Sequence, residues 1–279
     1  MLQKCYLYLI LLFIPIIVFS QQPQEVFAKA NSQVAVCVVR FSNKNGTTPA
    51  NWGCGLILNG KYFATCYHIY RPDTNFLIKS IWVLYNIHYK NGILLYDSVS
   101  ATARYKATKS QYDFSKHIYI RGDNSYHTDF IILKLKKKIA PYKLDFSTDT
   151  VRKDESLYSL GLSGRKVGDV TITYLRPSTS KYFFYYIYSP CSYIASLGDA
   201  GEGFSGTPIY NSKGKIVGVI QFGMDNFPQY FQDLHNKGAI PDDIYSQIVA
   251  GYKNGEKLIY AIPIRYLIEK YMNGYLNER

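Results

Sequence analysis

The chain has 279 residues, 47% hydrophobic and 19% charged, which is enough to bury a full core or two smaller ones and excludes a disordered protein. Its formal charge is +12, but the lysines are spread along the chain and cluster only at Lys134–Lys138. No recognition motif accompanies that charge, so nucleic acid is not an expected partner.

Residues 1–20 read as an export signal, with Lys4 as the positive start, an apolar stretch from Tyr6 to Phe19, and Val18 and Ser20 ahead of the cut. Cleavage is expected after Ser20, with a cut after Ala30 as the alternative. The apolar run of about 14 residues is shorter than the roughly 20 of a spanning helix, so a removed signal is expected rather than a stable membrane anchor. The expected destination is secreted, periplasmic or extracellular. Removing the segment takes away Lys4 and no acid, so the charge falls from +12 to +11. Cys5 leaves with it, and Cys37, Cys54, Cys66 and Cys191 remain. Four cysteines in an exported chain permit two disulfides in three pairings, or simple burial, and both readings stay open. No CxxC pair exists, so no zinc site and no cofactor are expected.

From Gln33 to Phe222 short apolar runs alternate with Gly, Asn, Pro and Ser, which predicts an all-β protein, a barrel or a sandwich. The expected strands are Val34–Phe41, Gly55–Leu58, Tyr62–Thr65, Leu77–Tyr85, Asp129–Leu135, Ser156–Leu160, Asp169–Tyr174, Tyr182–Tyr188, Pro208–Asn211 and Lys215–Phe222. The polar run Lys136–Thr150, with Pro141, reads as a linker between two β units. The segment Met224–Lys257 is a long insertion. Within it Ile244, Ile248 and Tyr252 repeat at helical spacing behind Asp242 and Asp243. A lid over a substrate and a surface elaboration are both open for it. Ile264, Leu267, Ile268 and Tyr271 predict a closing helix over 264–274.

Three residues carry the chemistry. Ser205 sits in GEGFSGTPIY, where glycines allow a tight turn that projects a hydroxyl and aims backbone N–H groups at a developing oxyanion. His68 ends the strand in GKYFATCYHIY, and Asp129 opens TDFIILKL. Taken singly, each would read as a glycine-rich turn, a structural histidine and a capping aspartate. Together they supply a nucleophile, its base and the acid that orients the base. They occur in the order His, Asp, Ser, 61 and 76 residues apart, which differs from the order of subtilisins and α/β-hydrolases.

The chain resembles the trypsin-like peptidases, closest to the bacterial-type branch of HtrA proteases and glutamyl endopeptidases. The blocks are GCGLILNGKYFATCYHIY, HTDFIILKL, GEGFSGTPIYNSKGKIVGVIQFG and YAIPIRYLIEKY, which together reach from Gln33 to Tyr271. The resemblance implies two six-stranded antiparallel β-barrels with the active site between them and a C-terminal helix. One barrel, over 31–140, would carry His68 and Asp129. The other, over 141–279 with the insertion 224–257, would carry Ser205. It implies a serine endopeptidase acting on peptide or protein substrates, with Gly203 and Ser205 forming an oxyanion hole and Gln221, Phe222 and Gly223 pairing with the substrate backbone. A non-catalytic binding or adhesion protein on the same fold is the alternative.

Several residues depart from the trypsin pattern. Phe204 replaces the aspartate that a new N-terminus would pair with, so zymogen-style activation is not expected. Thr207 stands where a second glycine is usual, and no PDZ domain is expected after the helix. Cys66 precedes His68, so the familiar disulfide does not carry over to Cys54 and Cys66. Asp199 lies six residues before Ser205, the offset of the acid that selects Arg or Lys, although an exposed turn acid fits the same position. The Asn45–Thr47 sequon is relevant only if the host glycosylates exported proteins, and the Arg121–Asp123 tripeptide carries no weight.

Overall fold

The computed structural model describes residues 23–42, 50–70, 77–106, 112–113, 118–119, 129–147, 149–167, 170–188, 191–224 and 229–276. The export segment 1–20, the sequon at Asn45 and the Arg121–Asp123 tripeptide lie outside them. So does the side chain of Cys191.

The first barrel is closed in the order β1 (Ala35–Ser42), β2 (Ala50–Leu58), β3 (Tyr62–Thr65), β8 (Ile131–Leu135), β5 (Ile93–Lys106), β4 (Leu77–Lys90). The second is closed in the order β10 (Val170–Tyr188), β11 (Cys191–Gly198), β14 (Lys257–Pro263), β13 (Ile216–Met224), β12 (Pro208–Tyr210), β9 (Ser156–Val167). All pairings within both barrels are antiparallel, and β6 (Tyr112–Asp113) pairs only with β7 (Ile118–Tyr119). Closure leaves no open sheet edge in either barrel.

Why the runs around the histidine are continuously apolar becomes clear from the packing. Ile57, Phe63, Ile131 and Leu133 point into the first barrel, while Leu56, Leu58, Tyr62, Ala64 and Ile132 point outward against Tyr158, Leu160, Ala195, Tyr210 and Val219 of the second. A strand buried on both faces loses the usual polar alternation. The second barrel has its own interior, with Leu157, Ile194, Phe204, Ile209, Ile220 and Ile259. The two barrels are therefore locked by a shared third core, and the seam between them is fixed in geometry.

Helices cover the second barrel. Residues 23–33 form α1, an element that the strand pattern gave no sign of. Pro23 suits a helix start, and Val26 and Ala30, one turn apart, are buried. Phe27 meets Tyr158 edge-on, and Gln33 accepts a hydrogen bond from the Tyr210 hydroxyl at 2.9 Å. A single turn, α2 (Tyr67–Tyr70), carries His68. The insertion holds α3 (Gln229–Asn236) and α4 (Asp242–Lys253), with Ile248 wholly buried and Gly251 against Leu197 of β11. The closing helix runs as α5 (Ile264–Leu267), a π-helical turn (Ile268–Met272) and α6 (Asn273–Leu276), burying Ile264, Leu267 and Met272. Among the described residues no helix is long and apolar enough to cross a membrane.

The strands differ from the expected set in informative places. β5, β11 and the short β6 and β7 are additional to that set, as is β14, which overlaps the block YAIPIRYLIEKY. The two runs 169–174 and 182–188 fuse into the single 19-residue β10, which passes through Pro177 opposite Leu160. The Asn91–Gly92 turn joins β4 to β5, both residues at positive φ, as a two-residue hairpin loop requires. The linker residues Asp145 and Ser147 bond both sides of Ile216, which fixes that segment on the second barrel.

Candidate active site

His68 is delivered by the β2–β3 hairpin. Asn59 and Gly60 at its turn both have positive φ, and β3 then runs into α2. β3 pairs with β8, Thr65 opposite Ile131, so the residues just beyond the two paired ends converge. Asp129 lies there, 5% exposed. One carboxylate oxygen, Oδ1, accepts the His68 backbone N–H at 2.8 Å, and Oδ2 lies 2.6 Å from His68 Nδ1. The ring is thereby oriented with Nδ1 toward the acid and Nε2 outward. Burial alone would push the His68 pKa down. The Asp129 charge and hydrogen bond outweigh it, and the net direction is above the ordinary 6.5.

Ser205 comes from the other barrel. Its turn is clamped from both sides: Cys54 of β2 donates its N–H to the Ser205 carbonyl at 2.8 Å, and Gly206 donates to the Ile220 carbonyl at 2.7 Å. The Ser205 hydroxyl donates to the Gln221 carbonyl at 3.2 Å. Phe204, immediately before it, points into the second barrel against Gly161 and is 1% exposed. A hydrophobic anchor therefore holds the serine turn where trypsin has an ion-paired aspartate.

Gly203 and Gly206 have φ of 88° and 81°, the left-handed region that favours glycine. Within the turn the N–H groups of Phe204, Gly206 and Thr207 bond the carbonyls of Gly201, Ile220 and Phe204. Those of Gly203 and Ser205 have no partner among the described residues. Two donors beside one hydroxyl are what an oxyanion would use.

Gln221 does something the sequence reading did not assign. Its buried side-chain amide donates to the Asp129 backbone carbonyl at 2.5 Å, tying the acid to the strand beside the serine. β12 pairs with β13 only as far as Val219, and Gln221–Gly223 continue past it alongside Ser205. Asp199 is engaged elsewhere: Arg176 reaches Oδ2 at 3.0 Å and the Ser178 hydroxyl donates to Oδ1 at 2.6 Å. Its charge is already shared with Arg176, so a substrate Lys or Arg would have to compete with that guanidinium for it.

Cys37, Cys54 and Cys66 are free thiols with no exposure. Cys66, His68 and Asp129 place potential ligand atoms within 4.8 Å of one another. That set is poorly suited to a metal ion. Cys66 donates to the Ile220 carbonyl at 3.3 Å, and burial first, then the Asp129 charge, hold its thiol well above the ordinary range. A metal would also have to displace the hydrogen bond between His68 and Asp129.

No protein-family model matches the chain, and no curated protein matches it. Among solved structures it is similar to the crystal structure of Deg5, over 90% of this chain and 92% of that one, with 14% identity and a TM-score of 0.50. At that identity the likeness concerns the fold. Two closed six-stranded antiparallel barrels joined along one seam, with a C-terminal helix, give this chain a chymotrypsin-like fold.

Proposed function

We propose that the chain is an exported serine endopeptidase that hydrolyses peptide bonds through an acyl-enzyme on Ser205. The observation that carries this reading is the doubly bonded His68–Asp129 pair of one barrel set beside the Ser205 turn of the other, in which two N–H groups have no partner among the described residues. His68 Nε2 takes the hydroxyl proton as Ser205 attacks the scissile carbonyl. The new imidazolium is stabilised by the Asp129 carboxylate, and the Gly203 and Ser205 amides donate to the oxyanion. His68 then protonates the leaving amine. Water, deprotonated by the same ring, releases the acyl group. The acyl side of the substrate adds to Gln221, Phe222 and Gly223 as a strand.

The pH profile tests the base. Hydrolysis needs neutral His68, so kcat/KM against a peptide should rise with pH through a midpoint above 6.5, because the folded pKa lies above its ordinary 6.5. The stability that the pair contributes runs the other way. It is fully present below the unfolded value and is lost as pH rises through the folded one. Asp129→Asn removes both causes that raise the pKa, so the limb of its residual activity should move to lower pH. A wild-type rate that is flat between pH 5 and pH 9 contradicts His68 as the base.

A further inference from the structure

A cavity of about 230 Å³ opens beside the catalytic residues, lined by Ala50, Asn51, Trp52, Ile69, Glu202 and Gly203 with His68 at its edge. The chemistry decides which part of a substrate enters it. The acyl carbonyl must meet the Gly203 and Ser205 amides, and the chain leading up to it lies along β13. No residue of β13 lines the cavity. The leaving amine receives its proton from His68, so the chain that departs with that amine starts at the ring and runs into the space that His68 and Gly203 border.

The walls of that space are not neutral. Ile69, 2% exposed, and the Trp52 ring form an apolar floor. Trp52 lies flush with Gly203, since a Cβ there would stand 2.1 Å from Trp52 Cζ3. Glu202 is exposed at the rim and has no ion-pair partner among the described residues, whereas nearby Asp199 is held by Arg176. An aliphatic stem on an indole floor, ending at an unpaired carboxylate, describes a lysine or arginine side chain. The indole face also attracts a cation.

We infer that Trp52 and Glu202 form a leaving-side subsite that selects a basic residue just after the scissile bond; this rests on the peptidase reading for its orientation. The test uses binding without catalysis. Trp52 and Trp82 are the only two tryptophans, and Trp82 is a half-exposed β4 residue. Trp82→Phe in a Ser205→Ala background leaves Trp52 as the sole reporter. Its emission is titrated with dipeptide amides that begin with Arg, Lys, norleucine or Glu, each mimicking a departing product.

Half-saturation by the Arg and Lys peptides should come at about tenfold lower concentration than by norleucine, the sum of one exposed ion pair and one cation–π contact. Glu202→Gln should remove the ion-pair share and shrink that gap to about threefold, the part left by Trp52. Equal half-saturation for all four peptides, a gap that Glu202→Gln leaves undiminished, or no Trp52 response overturns the inference. If Trp82→Phe does not fold, calorimetric titration of the Ser205→Ala protein reads the same order. If the protein with Ser205 intact cleaves nothing while Trp52 still discriminates, the peptidase reading and the leaving-side orientation fall, and Trp52 and Glu202 remain a binding site for a basic side chain.

Discussion

Asp129→Asn is expected to lower kcat/KM by about four orders of magnitude while leaving the fold intact. The two side chains have nearly the same volume, so the buried site still packs. What changes is which partner can donate. The carboxylate accepts twice, from the His68 backbone N–H and from the ring. An asparagine oxygen can keep the first bond, but its NH₂ then faces Nδ1 as a donor and holds the ring in the tautomer with the proton on Nε2. A protonated Nε2 cannot take the Ser205 proton, and no carboxylate remains to stabilise an imidazolium. Peptide hydrolysis by the purified variant, with its melting temperature measured alongside, reads both halves. A loss of less than about tenfold would remove Asp129 from the mechanism.

Gly206→Ala should be as damaging for a different reason. The residue has φ of 81°, and an added Cβ would stand 1.9 Å from the Cys54 carbonyl oxygen and 2.5 Å from Thr65 Oγ1. Neither neighbour can move cheaply. Thr65 Oγ1 itself donates to the Cys54 carbonyl at 2.6 Å, and the bond from Cys54 to Ser205 crosses the seam beside it. The substitution therefore forces apart the two barrels at the serine turn. A stability loss of at least about 3 kcal/mol is expected from the clash and the strained backbone together, with hydrolysis abolished even in the folded fraction. Gly92→Ala is the control. Its φ is 76°, but no atom lies within 4 Å of the new Cβ, so only the backbone cost of about 1–2 kcal/mol remains and activity is kept. Chemical denaturation of the two variants should separate them clearly. Equal losses would mean that the seam yields where the geometry says it cannot.

The all-β character was legible from local pattern, apolar runs between glycine turns, whereas Ser205, His68 and Asp129 stood out only as a set, by their types and their order along the chain. The missed elements fail that test. α1 was hidden because its buried face is small, Val26 and Ala30, and its partners Tyr158 and Tyr210 lie far along the chain. β5, ILLYDSVSATARYK, was overlooked because its large apolar residues Ile93, Leu95 and Tyr96 are exposed and those it turns to the core, Val99, Ala101 and Ala103, are small. β10 was split in two because Pro177 reads as a break, yet the pairing of 177 with Leu160 continues across it.

Site details follow the same rule. That Gln221 secures Asp129, that Arg176 occupies Asp199, and that Trp52 lies under Gly203 are contacts between residues 92, 23 and 151 positions apart. No spacing rule reaches that far. Phe204 is the informative exception. Its identity already set the chain apart from trypsin, and its place inside the second barrel now says what the residue does there.

The most direct measurement of the central claim is covalent labelling of the mature protein by a fluorophosphonate, which reacts only with a serine whose proton is removed and whose oxyanion is stabilised. The folded wild-type protein should label stoichiometrically, lose labelling when heat-denatured, and give no adduct as Ser205→Ala. A folded wild-type protein that takes up no label, or a Ser205→Ala variant that labels as well as wild type, would contradict Ser205 as the nucleophile.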